Sequence, residues 1–228
     1  MSELIIVIGA YGSGKSEYAI NHARKLHTAG SKVALADLDV VNPYFRSRDM
    51  VEEFSHTGIE VIAPPKEYHH TDLPMISPRV MGFIQNLEYT VILDVGGDPA
   101  GCRTLARFLP VIEKRGYQMH YVVNTRRPFT SNVDEINQMA DNLEEISHLK
   151  ITELVCNTNL MEFTNTEIIQ QGIEILSKVA LSRKIKFGKF LVLDRNSADI
   201  PGNISGKTRY ILTYSLRKPW EVNMGVGI

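Results

Sequence analysis

The stretch Gly9-Ala10-Tyr11-Gly12-Ser13-Gly14-Lys15-Ser16 holds the residues whose types and spacing most clearly do chemistry. It matches G-x-x-x-x-G-K-S/T, a loop whose backbone amides cradle phosphate oxygens. Gly9, Gly12 and Gly14 let the main chain wrap closely and turn its N–H groups inward, and the helix that follows adds a favourable dipole. Lys15 is placed to reach the β and γ phosphates, and Ser16 to hold Mg2+. Ser13 and Glu17 complete the candidate nucleotide contacts. An apolar run precedes the loop and a helical-period segment follows it, which is the context the motif requires.

Two acidic segments add a second kind of chemistry. In LADLDVVNPYFRSRD, Asp37 and Asp39 lie at and just past the end of an apolar strand. That edge is where doubly wound sheets bind their ligands. Their spacing of two places both carboxylates on one side of an extended chain, able to polarise a water or approach Mg2+. In VILDVGGDPAG, Asp94 ends another apolar run, and Gly96 and Gly97 allow close approach to a γ-phosphate. Asp98 adds a charge nearby, as a second Mg2+ contact, an acceptor-side group or a surface residue.

The elements that must position these groups follow from hydrophobic periodicity. Apolar runs at 4–8, 33–36, 59–63, 89–93, 120–123, 153–156, 190–193 and 211–214 read as strands. Helical periodicity separates most of them, over 16–28, 49–56, 80–86, 105–114 and 133–146, and after a capping box at Thr164–Glu167. The expected architecture is α/β: a doubly wound, mostly parallel sheet of about 7–8 strands with helices on both faces, as in a P-loop NTPase. With 228 residues and no linker-like stretch, residues 1–228 read as one nucleotide-binding domain.

Composition bounds the partners. The net charge of −1 argues against nucleic acid. Cys102 and Cys156 form no C-x-x-C pair, which suits a reducing compartment. No apolar run approaches the roughly 18–20 residues of a membrane span, and a cytoplasmic location is expected. Arg46, Arg48, Arg126 and Arg127 are basic candidates for a partner or an anionic substrate. His69 and His70 lack a third metal ligand, and Trp220 is expected to pack.

The loop, LADLD and LDVGGD together resemble the MinD/ParA/CobQ-type branch of P-loop ATPases, a deviant Walker family, over about residues 1–160. The resemblance implies ATP and Mg2+ as cofactors. It makes Lys15, Asp39 and Asp37 catalytic, with Asp39 orienting the attacking water. Ser16, Asp37 and Asp94 would hold the metal, Gly97 would be a switch glycine, and Asn157 in LVCNTN would read adenine. The implied protein is a Mg-dependent ATPase of low intrinsic turnover that switches contact with a partner protein, with a homodimer as a further form. The sequence departs from the family at Ala10, where such ATPases carry a lysine that reaches across a dimer. Two alternatives stand beside it. One is a small-molecule kinase or ligase related to dethiobiotin synthetase, with the 64–79 loop as its pocket; the other is a non-hydrolysing ATP-binding adaptor. No N-K-x-D string stands at Asn157–Leu160, which argues against a GTPase.

Overall fold

The computed structural model describes residues 2–39, 54, 56–62, 78–97 and 99–216. Arg46, Arg48, His69, His70, Asp98, Trp220 and nearly all of the 64–79 loop and the expected 49–56 helix lie outside those residues. Among the described residues, nine strands form one sheet in the order β3-β2-β4-β1-β5-β6-β7-β9-β8. They are β1 (Leu4–Ile8), β2 (Lys32–Asp37), β3 (Glu60–Ile62), β4 (Tyr89–Asp94), β5 (Gln118–Val123), β6 (Glu153–Cys156), β7 (Lys186–Leu193), β8 (Asn203–Ile204) and β9 (Lys207–Leu212). All pairings are parallel except β8 with β9. This is the mostly parallel, doubly wound sheet of a P-loop NTPase.

Alternation along β1 divides the core between the two faces. Leu4, Ile6 and Ile8 pack with Val80, Ile84, Ile112, Ile136, Leu143, Ile173 and Leu176 from four helices. Those helices are Arg79–Gln85, Leu109–Arg115, Val133–Ser147 and Thr166–Arg183. Ile5 and Val7 face the other way, against Tyr18, Ala19 and Ala23 of α1 (Lys15–Thr28). A parallel strand covered on both faces is apolar throughout, which is why β1 reads as the continuous run LIIVI.

Three expectations shift. The helix expected at 105–114 is broken into a helix at Pro99–Arg103, a 3-10 segment at Thr104–Phe108 and a helix at Leu109–Arg115. Pro110 has no N–H and its ring clashes with the preceding turn, so a helix can start there but not run through it. The last parallel strand lies at Lys207–Leu212 rather than 211–214, and a two-residue partner, β8, brings the count to nine. The helix after Thr164 is capped by Asn165, whose side chain accepts from Ile168 N–H, and not by a Thr164/Glu167 box. Thr164 is committed to Leu160 and Met161.

Beneath α1 lies a buried polar cluster. Tyr18 Oη is 3.0 Å from His120 Nδ1 and accepts from Lys189 Nζ at 3.1 Å. Lys189 also pairs with Glu153 at 2.9 Å, and His22 Nδ1 is 3.3 Å from Tyr210 Oη. Glu153 is 3.7 Å from His120 Nε2, but Lys189 already claims its charge. Burial, then the Lys189 charge, pushes His120 down to about 2 and His22 down to about 4. Both rings are therefore neutral in the fold and charge on unfolding below about pH 6.5, so the unfolded chain binds more protons. Stability is accordingly expected to fall as pH drops from 6.5 towards 4, by up to about 1.4 kcal/mol per pH unit for each histidine. Denaturant titrations across that range should show it, and His120→Gln should remove about half of the slope. An unchanged slope in that variant would contradict the assignment.

Candidate functional site

The site forms at the carboxyl edge of the central strands, where chain direction and register bring the loop and the acidic residues together. Val7 of β1 is in register with Asp94 of β4, and Asp94 with Asp37 of β2. The chain leaves β1 at Ile8, turns through a Ser13 N–H to Ala10 C=O bond of 3.1 Å, and enters α1 at Lys15. Gly14 caps the helix at φ 84°, a left-handed conformation that favours glycine. No side chain caps α1, so its first N–H groups remain open to an anion, as a phosphate-binding loop requires.

Lys15, Ser16, Asp37, Asp39 and Asp94 are all buried. Lys15 Nζ lies 3.4 Å from Asp39 Oδ2, and Asp37 Oδ1 accepts the Asp39 N–H at 2.9 Å. Asp94 is fully buried, and among the described residues neither of its oxygens, nor Ser13 Oγ or Ser16 Oγ, makes a well-aligned hydrogen bond, although the Ser16 hydroxyl stands close enough to Asp94 to favour its charged form. Burial pushes the Asp94 carboxyl up to about 6; the Lys15 charge and the Ser16 hydroxyl act against this, and Asp39 adds to it. An unsatisfied carboxylate and hydroxyl beside an open helix start suit a divalent cation carried by phosphate oxygens. Among the described residues no group of three or more His, Cys, Asp or Glu could hold a metal unaided. A cation here would therefore need the nucleotide to complete its shell.

Other candidates separate by role. Gly97 lies directly on the loop: a Cβ there would stand 2.5 Å from Gly9 O and 2.8 Å from Tyr11 N. The Glu17 carboxylate turns away from the loop and accepts from Ser215 N–H at 2.7 Å and Leu216 N–H at 3.1 Å. What Glu17 offers an anion is its backbone amide. Asn157 Nδ2 donates to Ser13 O at 2.6 Å and packs where a Gly14 side chain would sit. Its amide thus braces the loop. Arg126 bonds Gln171, whereas Arg127 reaches Gly12.

Sequence reasoning missed the frame that holds this brace. Thr125 Oγ1 and Thr158 Oγ1 are 3.0 Å apart, and Asn124 Oδ1 accepts from Arg126 N–H and Asn159 N–H. The signal was present as an Asn-Thr pair after each of two strands, Asn124-Thr125 and Asn157-Thr158. It acquires meaning once β5 and β6 are known to be neighbours.

Fold and loop define the class, a chain with the P-loop NTPase fold. No protein-family model matches the chain. No curated protein matches it in sequence. Among solved structures it is similar to FtsY from Mycoplasma mycoides, with a TM-score of 0.58 and 14% identity over 87% of this chain and 62% of that one. FtsY from Thermotoga maritima gives 0.55 and 18% over 84% and 62%, and chloroplast FtsY from Physcomitrella patens 0.54 and 14% over 83% and 58%. The chain thus spans about three-fifths of the FtsY chains it matches.

These neighbours correct the motif-based resemblance. They are FtsY-type GTPases, not MinD/ParA/CobQ-type ATPases. The assignment as an ATP- and Mg2+-dependent ATP hydrolase, with its kinase and ATP-adaptor alternatives, falls with that resemblance. So does the argument against a GTPase from the missing N-K-x-D. Local geometry explains why the resemblance misled. The loop and acidic strand ends belong to the fold in general, while the lysine that marks the family is missing: its place is taken by Ala10, a buried alanine whose backbone lies under Gly97. No described helix is long and apolar enough to cross a membrane.

The raised Asp94 pKa has a testable sign. The fold holds the Asp94 proton to higher pH than the unfolded chain does, so this group's contribution is present below about pH 4 and lost as pH rises through about 6. Asp94→Asn should therefore raise the ligand-free melting temperature at pH 7.5, by up to about 3 kcal/mol of stability, with the gain vanishing near pH 4. Thermal scans against pH measure it; a lower melting temperature at pH 7.5 would contradict the assignment.

Proposed function

We propose that the chain is a guanine-nucleotide-binding switch protein that takes GTP and GDP together with a divalent cation and acts through a partner protein. The observation that carries the phosphate and cation part is the group of unsatisfied Ser13, Ser16 and Asp94 oxygens beside the uncapped start of α1. Guanine as the base is the reading that the likeness to FtsY supports, as is dependence on a partner.

The residues divide the work as follows. The loop amides from Gly12 to Ser16 bind the polyphosphate, helped by the dipole of α1. Lys15 exchanges its 3.4 Å contact with Asp39 for phosphate oxygens. That exchange frees the Asp39 carboxylate to hold a water near the terminal phosphate. Ser16 and Asp94 take the cation, and Asp37 fixes the Asp39 backbone. Gly97, pressed on the loop, moves when a terminal phosphate arrives, so the segment after β4 reports triphosphate against diphosphate.

Calorimetric titration of the purified protein with GTP, GDP and ATP in the presence of Mn2+ tests this reading. GTP and GDP are expected to bind at least about tenfold more tightly than ATP, and Lys15→Ala should abolish binding of all three. Tighter binding of ATP, or guanine-nucleotide binding indifferent to Lys15→Ala, would overturn it.

A further inference from the structure

The loop is flanked by opposite charge balances on its two sides. Towards β4 and β2 stand three buried carboxylates, Asp37, Asp39 and Asp94, against one buried ammonium, Lys15. Even with a divalent cation, a polyphosphate placed there meets little net positive charge. Towards β5 and β6 the chain supplies Arg127.

Arg127 reaches the loop by construction. β5 lies beside β1 in parallel register, Tyr121 opposite Ile8, so the segments after both strands leave the sheet side by side. The turn after β5 is fixed by Arg127 N–H to Asn124 O at 3.2 Å and by Thr130 Oγ1 donating to Asn124 O at 2.9 Å. From that turn the side chain lies against Gly12: a Cβ on Gly12 would stand 3.4 Å from Arg127 Nε and 3.7 Å from Cζ. Gly12 is at φ 74°, a left-handed conformation that favours glycine, and the guanidinium lies over it at van der Waals distance. Among the described residues the guanidinium has no ion pair or hydrogen bond, whereas its neighbour Arg126 is tied to Gln171.

We infer that Arg127 is a phosphate-contacting residue of the nucleotide site, reaching the polyphosphate over Gly12 from the β5 side. The inference rests on the nucleotide-binding reading above and adds a residue to it. A planar guanidinium can engage two phosphate oxygens at once, which a lysine at this place would not reproduce. It supplies the positive charge that the acidic side of the loop withholds.

The test compares wild type, Arg127→Gln and Arg127→Lys for GTP, GDP and guanosine with Mn2+. Binding is read by displacement of a fluorescent GDP analogue, after melting curves establish equal folding. Arg127→Gln should weaken GTP and GDP about tenfold or more while leaving guanosine unchanged, with Arg127→Lys falling between. The salt dependence of GDP binding should become shallower in Arg127→Gln. Equal affinities in wild type and Arg127→Gln would overturn the inference and leave the nucleotide reading standing. Equal weakening of all three ligands would also overturn it, because Arg127 would then serve only the shape of the loop. A wild type that binds none of the three would instead sink the nucleotide reading itself.

Discussion

The parallel register of β1, β4 and β2 sets the terms for everything at the carboxyl edge. It places Asp94 level with Val7 on one side and with Asp37 on the other, so carboxylates end two adjacent strands beside the strand that feeds the loop. Asp94 is fully buried with little beyond the Ser16 hydroxyl and the Lys15 charge to offset its lost solvation, a state that costs stability whenever the group is ionised. Lys15 relieves part of this charge and is drawn towards Asp39 in doing so. The edge therefore holds negative charge in excess, adjoining backbone amides that favour an anion. A phosphate chain carrying a divalent cation satisfies both demands at once, and neither component alone does so.

The same sheet secures the loop from its other side through neutral groups. Asn157 from the end of β6 reaches across β5 to the Ser13 carbonyl, and the Asn-Thr pairs after β5 and β6 lock those two segments to each other. Acidic strand ends on one flank and an amide brace on the other fix the loop before any ligand arrives. Preorganised amides need not be ordered at the moment of binding, so more of the interaction appears as affinity. The tail of the described chain is fastened to the same helix, since the Glu17 carboxylate holds residues 215 and 216 one position beyond Ser16.

Much of this was legible in the sequence, for physical reasons that also mark where legibility ended. Central parallel strands are buried on both faces, so β1, β2 and β4 appear as unbroken apolar runs ending at Gly9, Asp37 and Asp94. β9, near the sheet margin, begins Lys-Thr-Arg and alternates, so its apolar end at Ile211 and Leu212 drew the expected strand too far along the chain. Pro110 marks in the sequence where one helix cannot run through and another begins. At the site, loop and acidic residues were readable because motif and strand end fix them locally. The Asn157 brace and the Arg127 contact depend on strand adjacency, which the order of residues does not display. The resemblance to one ATPase family rested on a loop and acidic strand ends that P-loop folds share, and that family's lysine is missing at Ala10.

The most direct measurement is anomalous diffraction from crystals grown with Mn2+ and a non-hydrolysable GTP analogue. The structure predicts polyphosphate along the Gly12–Ser16 amides and a manganese peak at Ser16 Oγ, with Asp94 bound to the ion directly or through one water. Lys15 should have left Asp39 for phosphate oxygens. An ordered nucleotide with no manganese between Ser16 and Asp94, or a nucleotide bound away from the loop, would contradict the central claim.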